Sequence, residues 1–258
     1  MPSISVIIIC KNEALNITEC IQSASFADEI IVLDSGSSDN TVTLAQATGA
    51  KVIETDWPGY GIQKNRAIEA SSSEWIFSLD ADERISKSLA QEIRLKLKNP
   101  QFSVYEIPRS SLYISKFMQH SGWHPDKTKR LFKRGKAKFT DSVIHESLLT
   151  SEPVGQLKEP IIHFSYRNFE SVLSKINNYS SVSAQKKFAE SKKGSSLKKA
   201  IICGLWAFFR TYIIKAGFLD GKEGVMLAIS NAEGVYYRHL KLMLLHQQSL
   251  KEKIQQHS

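Results

Sequence analysis

Three acidic residues follow an apolar run in the segment Trp75-Ile76-Phe77-Ser78-Leu79-Asp80-Ala81-Asp82-Glu83. Carboxylates this close repel one another and are costly to desolvate unless positive charge lies among them. Asp80 and Asp82 form a DxD motif, in which alternate residues just past a strand can point two carboxylates towards one point. Hard oxygen ligands suit Mg²⁺ or Mn²⁺, which commonly bridge to substrate phosphates. The spacing therefore predicts a metal site; a solvated loop or helix cap is the alternative.

The elements that must position these acids alternate along the first hundred residues. Short β-branched or aromatic runs predict strands at 5–9, 29–33, 51–53 and 75–79, and apolar residues at helical spacing predict helices between them and at 86–98. Strands that alternate with helices indicate βαβ units and a mostly parallel sheet, hence an α/β fold. Shorter strands are predicted at 104–107, 130–132 and 142–149, then a polar helix over 168–193, a break at 194–196 and a pair of apolar helices.

Polar residues follow the end of each of the first four predicted strands. In an open α/β sheet, ligands bind outside the carboxyl ends of the strands, so we expect these residues to converge on one crevice. The segments concerned are Cys10-Lys11-Asn12-Glu13, Asp34-Ser35-Gly36-Ser37-Ser38-Asp39, Asp56 and Asp80-Ala81-Asp82-Glu83.

Residues 5–13, 32–41, 64–66 and 79–83 together resemble the family-2 inverting glycosyltransferases, whose fold is the nucleotide-sugar-binding GT-A type. Residues 130–132, 143–146 and 217–221 look like one branch of that family, which includes β-1,4-glucosyltransferases acting on the first heptose of the lipopolysaccharide inner core. The resemblance implies a GT-A catalytic domain over residues 1–166. Its nucleotide-sugar-binding half would be 1–100 and its acceptor half 101–166, and residues 167–258 would form a basic, amphipathic helical extension.

The same resemblance assigns roles on the donor side. Asp34 would accept a hydrogen bond from the uracil N3–H, and Asn12 and Glu13 would belong to the same nucleotide-sugar site, with Glu13 near the ribose. Asp80 would face the nucleoside, and Asp82 would be the principal metal ligand.

Three basic residues complete the predicted donor and metal sites. Lys64 and Arg66 would help to neutralise the diphosphate, although a solvated helix face explains each equally well. His163 would approach the metal as an additional ligand, and a strand histidine satisfied by hydrogen bonds is the alternative.

Inverting transfer also needs a base that deprotonates the acceptor hydroxyl while UDP departs from the opposite face of the sugar. This base must lie across the donor sugar from the metal, so Asp82 cannot fill both roles. We select Glu146 because it lies in the Val143-Ile144-His145-Glu146 segment that matches the branch. The family's more familiar base is an Asp in an acidic pair, from which His145-Glu146 departs. Asp126 and Asp141 are the other candidates, and a structural Glu146 paired with a cation is the alternative.

Charge and apolar residues in the last third of the chain suggest a membrane surface. The formal net charge is +8, and residues 171–199 contain seven lysines against one acid, Glu190. Residues 201–219 are apolar but interrupted by Arg210 and Lys215, so no run of 18 apolar residues survives to span a bilayer. We predict an interfacial helix facing anionic lipid, with a core helix as the alternative.

Composition favours a cytoplasmic protein. Three widely spaced cysteines argue against a disulfide framework. The first 13 residues have no basic segment or cleavage site and are predicted to be a strand, not a secretion signal.

The leading hypothesis is a metal-dependent inverting hexosyltransferase, using Mg²⁺ or Mn²⁺ and a UDP-sugar, in particular UDP-glucose. Its acceptor would be an inner-core heptose of a lipid-linked oligosaccharide, reached at the inner face of the cytoplasmic membrane by a peripheral protein. The alternative is transfer of another UDP-hexose or UDP-N-acetylhexosamine to a different surface glycan. A nucleic-acid-binding module is a remote alternative, because the lysines lie in a Ser-rich helix with little aromatic interleaving. A dinucleotide binder would carry GxGxxG after the first strand, where residues 10–13 stand instead.

Overall fold

The computed structural model describes residues 2–141, 146–190 and 194–255. These residues form two compact units. One comprises the described part of 1–110 and 126–164, and the other comprises 111–125 together with the described part of 165–258. Residues 111–125 are thus grouped with the C-terminal helices, and the division into 1–166 and 167–258 stays a prediction.

The first unit begins with the predicted alternation of strands and helices, which is confirmed. Its elements to residue 98 are β1 (Ile4–Cys10), α1 (Ile17–Ser23), β2 (Glu29–Asp34), α2 (Thr41–Ala47), β3 (Lys51–Glu54), α3 (Tyr60–Ala70), β4 (Trp75–Asp80), β5 (Glu83–Ile85) and α4 (Lys87–Lys98). Ser86 begins α4 because its hydroxyl accepts a hydrogen bond from the Leu89 amide at 3.1 Å.

Shorter strands follow. They are β6 (Val104–Tyr113), β7 (Lys116–Phe117), β8 (Lys127–Lys133), β9 (Lys138–Phe139), β10 (Leu148–Leu149), β11 (Val154–Gln156) and β12 (Ile161–Tyr166). Of the strand predicted over 142–149, residues 142–145 lie outside the described residues, and only the two residues of β10 are in strand conformation.

The main sheet runs in the order β3-β2-β1-β4-β8-β6-β12-β5, and a separate ribbon pairs β9 with β10. β1 lies between β2 and β4 and is parallel to both, with Cys10 opposite Asp34 and Ile9 opposite Asp80. β8 adds to β4 in the antiparallel sense. β5 pairs with β12, also in the antiparallel sense, which places Glu83 opposite His163.

β1 is the centre of the core. All seven of its residues are buried, and its side chains alternate between two apolar clusters. Val6 and Ile8 pack in the cluster that includes Ile17 of α1 and Leu89 of α4, whereas Ile7 and Ile9 pack in the cluster that includes Ala67 of α3. A parallel strand covered by helices on both faces has no polar face, which explains the continuous apolar run of its sequence.

α3 approaches the chain near residue 140 very closely. A Cβ atom added at Gly61 would lie 1.6 Å from the Thr140 carbonyl oxygen and 3.5 Å from Glu146 Cβ. Only glycine permits this approach, which brings the first turn of α3 next to Glu146.

The second unit contains three long helices. They are α5 (Phe169–Glu190), α6 (Leu197–Phe209) and α7 (Lys222–Gln255), with a π-helical turn at Arg210–Ile214 and a 3₁₀ turn at Gly217–Asp220. The predicted break at 194–196 is confirmed, and of the predicted polar helix over 168–193 the last three residues lie outside the described part. No helix within the described part of the chain combines the length and apolar character that crossing a bilayer requires.

Asp220 connects the 3₁₀ turn to the segment that follows β7. Its buried carboxylate accepts hydrogen bonds from the backbone amides of Gln119 and His120 and from the Ser121 hydroxyl, at 3.0–3.1 Å. Burial raises the pKa of the Asp220 carboxyl, but these hydrogen bonds outweigh it and lower that pKa. The aspartate of the Gly-Phe-Leu-Asp-Gly motif therefore has a structural role within this unit.

Candidate functional site

Asp34 lies at the carboxyl end of β2 and organises the loop that follows it. Its side chain is fully buried, and one oxygen accepts hydrogen bonds from the Gly36 and Ser37 amides at 2.9 and 2.8 Å. The other oxygen accepts from the Ser37 hydroxyl and, at 3.5 Å, from the Cys10 thiol. Four donors match the lone pairs of a carboxylate. The structure thus places Asp34 beneath the loop; its contact with uracil stays a prediction.

Asn12 and Glu13 connect the loop after β1 to the loop after β2. The Asn12 amide donates to the Ser37 hydroxyl, and the Asn12 side-chain oxygen accepts from the Ser38 amide, both at 2.8 Å. The Glu13 amide donates to the Thr41 hydroxyl, also at 2.8 Å. Asn12 adopts a positive φ of 56°, a conformation in which asparagine is tolerated. These contacts confirm that the polar ends of β1 and β2 meet, as their places in a parallel sheet predict.

Asp80 and Glu83 are neutralised by two cations of the chain itself. Asp80 contacts the Lys64 ammonium at 2.9 Å and also pairs with the Arg130 guanidinium. The same Arg130 nitrogen lies 2.8 Å from Glu83, whose other oxygen accepts a hydrogen bond from the Asp80 amide at 3.0 Å. The repulsion within the acidic segment is therefore relieved by α3 and β8, and this pair of acids does not by itself require a metal ion.

Further ion pairs extend from Lys64 and from Glu83. Lys64 also contacts Glu146 at 2.7 Å, and Arg109 bridges Glu83 at 3.4 Å and Asp126 at 2.7 Å. Four carboxylates and three cations alternate in one chain of contacts, which we name the ion-pair chain. Its members in order are Glu146, Lys64, Asp80, Arg130, Glu83, Arg109 and Asp126.

Burial at the middle of the ion-pair chain makes its charges interdependent. The side chain of Arg130 is 5% exposed and that of Glu83 is fully buried. Burial raises the pKa of Glu83, and the neighbouring Asp80 adds to the effect against the opposing Arg130. Burial also raises the pKa of Asp80, but Arg130 and Lys64 outweigh it and hold that pKa well below its usual range. Arg130 stays protonated because Asp80 and Glu83 raise its pKa despite its own burial.

Asp82 is not a member of the ion-pair chain and lies beside His163. Its carboxylate lies 3.3 Å from the His163 Nε2, and the two side chains are 27% and 14% exposed. The Asp82 carbonyl oxygen also accepts a hydrogen bond from the Phe164 amide at 2.9 Å. Considering only the described residues, no group of three or more His, Cys, Asp or Glu side chains is arranged to hold a metal. Asp82 and His163 together offer one carboxylate and one imidazole nitrogen as possible metal ligands.

The remaining predicted residues occupy different environments. Arg66 pairs with exposed Asp56 at 2.7 Å and donates to the Thr55 hydroxyl, so it lies on a solvated helix face. Lys64, in contrast, is buried. Residues 143–145 of the Val-Ile-His-Glu segment lie outside the described residues, whereas Glu146 is described.

Sequence analysis missed Arg109 and the roles of Arg130 and Glu83. The available signal was the acidic segment itself, because a carboxylate at the end of a buried strand needs a cation. An arginine in a short apolar strand, as in Arg130-Leu131-Phe132, is the complementary signal. Only the antiparallel pairing of β8 with β4 brings the two segments together.

Comparisons with known proteins identify relatives of this chain. The sequence profile of glycosyl transferase family 2 matches residues 5–157. An uncharacterized glycosyltransferase of Rickettsia bellii is 32% identical, over 96% of this chain and 87% of the relative. The lipopolysaccharide core biosynthesis glycosyltransferase LpsC of Rhizobium meliloti is 29% identical over 92% of this chain and 93% of its own.

A solved structure also shows local similarity. It is glucosyl-3-phosphoglycerate synthase from Mycobacterium tuberculosis in complex with Mn²⁺, uridine diphosphate and glucosyl-3-phosphoglycerate. The aligned part is 28% identical, covers 43% of this chain and 44% of that chain, and gives a TM-score of 0.36.

We predict that Arg130→Gln destabilises the protein by about 3–5 kcal/mol, because it leaves the fully buried Glu83 without its nearest cation and leaves Asp80 with Lys64 alone. Urea unfolding followed by circular dichroism measures the change. Arg66→Gln is the matched control, since its exposed pair with Asp56 contributes at most about 1 kcal/mol. Equal unfolding free energies for the two variants would contradict the central place of Arg130.

Proposed function

This chain belongs to glycosyl transferase family 2, and on that premise we propose that it transfers glucose from UDP-glucose, with inversion, to an inner-core heptose of a lipopolysaccharide precursor. The observation that carries the proposal is the meeting of polar groups at the carboxyl ends of β1, β2 and β4, where open α/β sheets bind ligands. The relationship to LpsC over nearly the whole chain supports the class of acceptor. The resemblance of residues 130–132 and 217–221 to the glucosyltransferase branch supports the sugar.

We assign nucleotide recognition to the loops after β1 and β2. Asp34 fixes the loop containing Gly36 and Ser37, and Asn12 and Glu13 connect it to the first loop. Their hydrogen bonds keep the surface that receives uracil and ribose preorganised. Arg66 is an accessible cation for the diphosphate, because an exposed ion pair such as Arg66–Asp56 is weak and readily exchanged. Lys64 contacts Asp80 and Glu146, so we propose that it affects the diphosphate only indirectly, through these two carboxylates.

The residues at the end of β4 fit a divalent cation. Mg²⁺ and Mn²⁺ sites often use one or two protein ligands, with substrate phosphates and water in the other positions. Asp82 supplies a hard carboxylate oxygen and His163 an imidazole nitrogen, and both are partly exposed. Asp80 would be a ligand only after exchanging its contact with Lys64 or Arg130. When bound, the cation supplies stabilisation of the charge that develops on the departing diphosphate.

The transfer step needs a carboxylate on the acceptor side. The acceptor oxygen forms a bond to the anomeric carbon, the bond to the UDP oxygen breaks with its electron pair, and the hydroxyl proton passes to the base. Glu146 and Asp126 occupy the two ends of the ion-pair chain, where Glu146 contacts Lys64 and Asp126 contacts Arg109, each at 2.7 Å. We propose Glu146 as the base, with Lys64 orienting it.

The acceptor and the place of the reaction are part of the proposal. The phosphates and carboxylates of a lipopolysaccharide core suit a chain with a net charge of +8. Because such an acceptor is lipid-linked, we propose that the protein acts as a peripheral protein at the inner face of the cytoplasmic membrane. No nucleic-acid partner is proposed.

A donor panel tests the reaction. We expect UDP release to be fastest with UDP-glucose when truncated inner-core acceptors of defined structure are supplied, and release should require the heptose that is modified. Faster release with UDP-galactose or a UDP-N-acetylhexosamine would support the alternative donors instead. Absence of release with every donor and acceptor would contradict the proposal.

Measuring Mn²⁺ binding tests the proposal that Asp82 is a metal ligand. Asp82→Asn should weaken Mn²⁺ binding in the presence of UDP, measured by electron paramagnetic resonance, by at least roughly tenfold, and should lower transfer accordingly. Asp141→Asn, at an exposed aspartate, should change neither. Wild-type Mn²⁺ affinity in Asp82→Asn would remove Asp82 from the ligand set.

The base assignment predicts a loss of turnover without a loss of donor binding. Glu146→Gln should lower kcat by roughly 10²–10⁴, the usual contribution of a positioned base, while UDP affinity by calorimetry stays unchanged. The glutamine can still accept the hydrogen bond from Lys64, so the fold should be retained.

Asp126→Asn is the matched control because it lies at the other end of the ion-pair chain. If its kcat falls by that amount while Glu146→Gln stays active, the base is Asp126. Unfolding of Glu146→Gln would instead support a structural role for its pair with Lys64.

A further inference from the structure

α6 buries small residues and exposes large apolar ones, whereas a helix at a water-exposed surface usually buries its large apolar residues. The buried side of α6 consists of small residues, Ala200, Gly204 and Ala207, and it packs against α7. A Cβ atom added at Gly204 would lie 3.4 Å from the Ala232 carbonyl oxygen of α7, so the two helices are in close contact there. Large apolar side chains are consequently left on the side of α6 that faces away from α7.

The exposed apolar residues continue past the end of α6 into the π-helical and 3₁₀ turns. Each retains between 46% and 67% of its accessible surface. Together we name them the α6 face: Leu197, Ile201, Ile202, Leu205, Trp206, Phe209, Ile213, Ile214, Phe218 and Leu219. Their spacing within α6 places them on one side of the helix. A surface with this many adjacent apolar side chains is unusual for a water-exposed protein and marks an interaction surface.

Positive charge borders the α6 face. Lys198, Lys199, Arg210 and Lys215 are all exposed, and no acidic residue occurs from Leu197 to Leu219. An apolar strip with cations at its margins is complementary to a bilayer whose headgroups are anionic, because the cations meet phosphates while the apolar groups enter the acyl boundary.

Further positive charge lies near the start of α6. Repulsion from Arg238 of α7, together with partial burial and the charge of Lys199, lowers the pKa of Lys187 despite the nearby Glu190. The Arg238 Nε is buried and has no hydrogen-bond partner among the described residues. Three helices therefore bring cations together at this end of the α6 face, where an external phosphate would relieve their repulsion.

We propose that the α6 face is a membrane-binding surface that lies in the headgroup and upper acyl region of an anionic bilayer. Trp206, which stacks on Phe209 with ring centroids 5.8 Å apart, is the aromatic anchor at the membrane–water boundary. The inference deepens the proposed function by naming the surface that meets the membrane, and it rests on that function only for the lipid-linked acceptor. A second copy of this chain on the same face is the competing occupant.

Vesicle sedimentation of the full chain tests the apolar part. The wild type should sediment with vesicles of phosphatidylethanolamine containing phosphatidylglycerol. Leu205→Glu and Trp206→Glu should each reduce partitioning at least roughly tenfold, since burial of one large apolar side chain is lost and a charge is added. Leu95→Glu is the matched control, because Leu95 of α4 is 64% exposed and outside the α6 face, and it should sediment like the wild type.

A charge-reversal pair tests the electrostatic part. Lys198→Glu with Lys199→Glu should lower partitioning to the anionic vesicles by roughly fivefold or more per lysine. The control, Lys96→Glu with Lys98→Glu on α4, changes the net charge equally and should have a much smaller effect. Equal losses in the two pairs would show attraction by net charge alone and would overturn the assignment of this surface.

Two further outcomes would overturn the proposal. One is wild-type partitioning of both Leu205→Glu and Trp206→Glu. The other is a wild-type dimer by analytical ultracentrifugation that does not bind vesicles and that Leu205→Glu converts to a monomer. An assay with a delipidated, soluble acceptor separates this inference from the proposed function. Leu205→Glu should still transfer sugar to that acceptor. If the wild type binds vesicles but transfers no sugar to that acceptor, the result counts against the proposed function alone.

Discussion

The pairing of Arg130 with both Asp80 and Glu83 is the constraint on which the candidate site depends. A buried arginine must keep its carboxylates, and buried carboxylates must keep their cation. The pairing fixes β8 against the ends of β4 and β5, and through Lys64 and Arg109 it extends to α3 and β6. Glu146 and Asp126 are positioned at its ends. Acids that would otherwise repel one another thereby become a rigid support for chemistry.

The ion-pair chain also separates the roles of neighbouring acids. Asp80 and Glu83 pair with cations of the protein, whereas Asp82, two positions after Asp80, lies beside His163. The loop after β2 has its own support, because the Asp34 carboxylate accepts hydrogen bonds from Gly36 and Ser37. The loops proposed to bind the nucleotide and the pair proposed to bind the metal are therefore held by contacts outside the ion-pair chain, whereas the proposed base, Glu146, belongs to it.

The second unit follows a different physical rule. Within it, small residues bring α6 close to α7, and the large apolar residues are left outside. In water alone this arrangement is unfavourable, because apolar area stays hydrated. It becomes favourable where lipid covers the surface and phosphates meet the bordering lysines and arginines. The helical extension predicted from sequence thus differs from an ordinary core helix in the side that it buries.

The sequence by itself indicated the α/β fold and the alternation through residue 98, because apolar periodicity is local. Its strand-end motifs, such as Asp34 and Asp80-x-Asp82, are also local, and their resemblance to glycosyltransferase family 2 indicated the family. It also indicated the apolar, basic character of α6, although periodicity alone could not say which side faces α7. Only the tertiary structure decided that Arg130 and Lys64 neutralise the acidic segment, that Asp82 pairs with His163, and that Glu146 and Asp126 belong to one network. The contacts of Arg130 with Asp80, of Lys64 with Glu146 and of His163 with Asp82 join residues 50, 82 and 81 positions apart. Such pairings depend on sheet order and strand register, which no local pattern encodes.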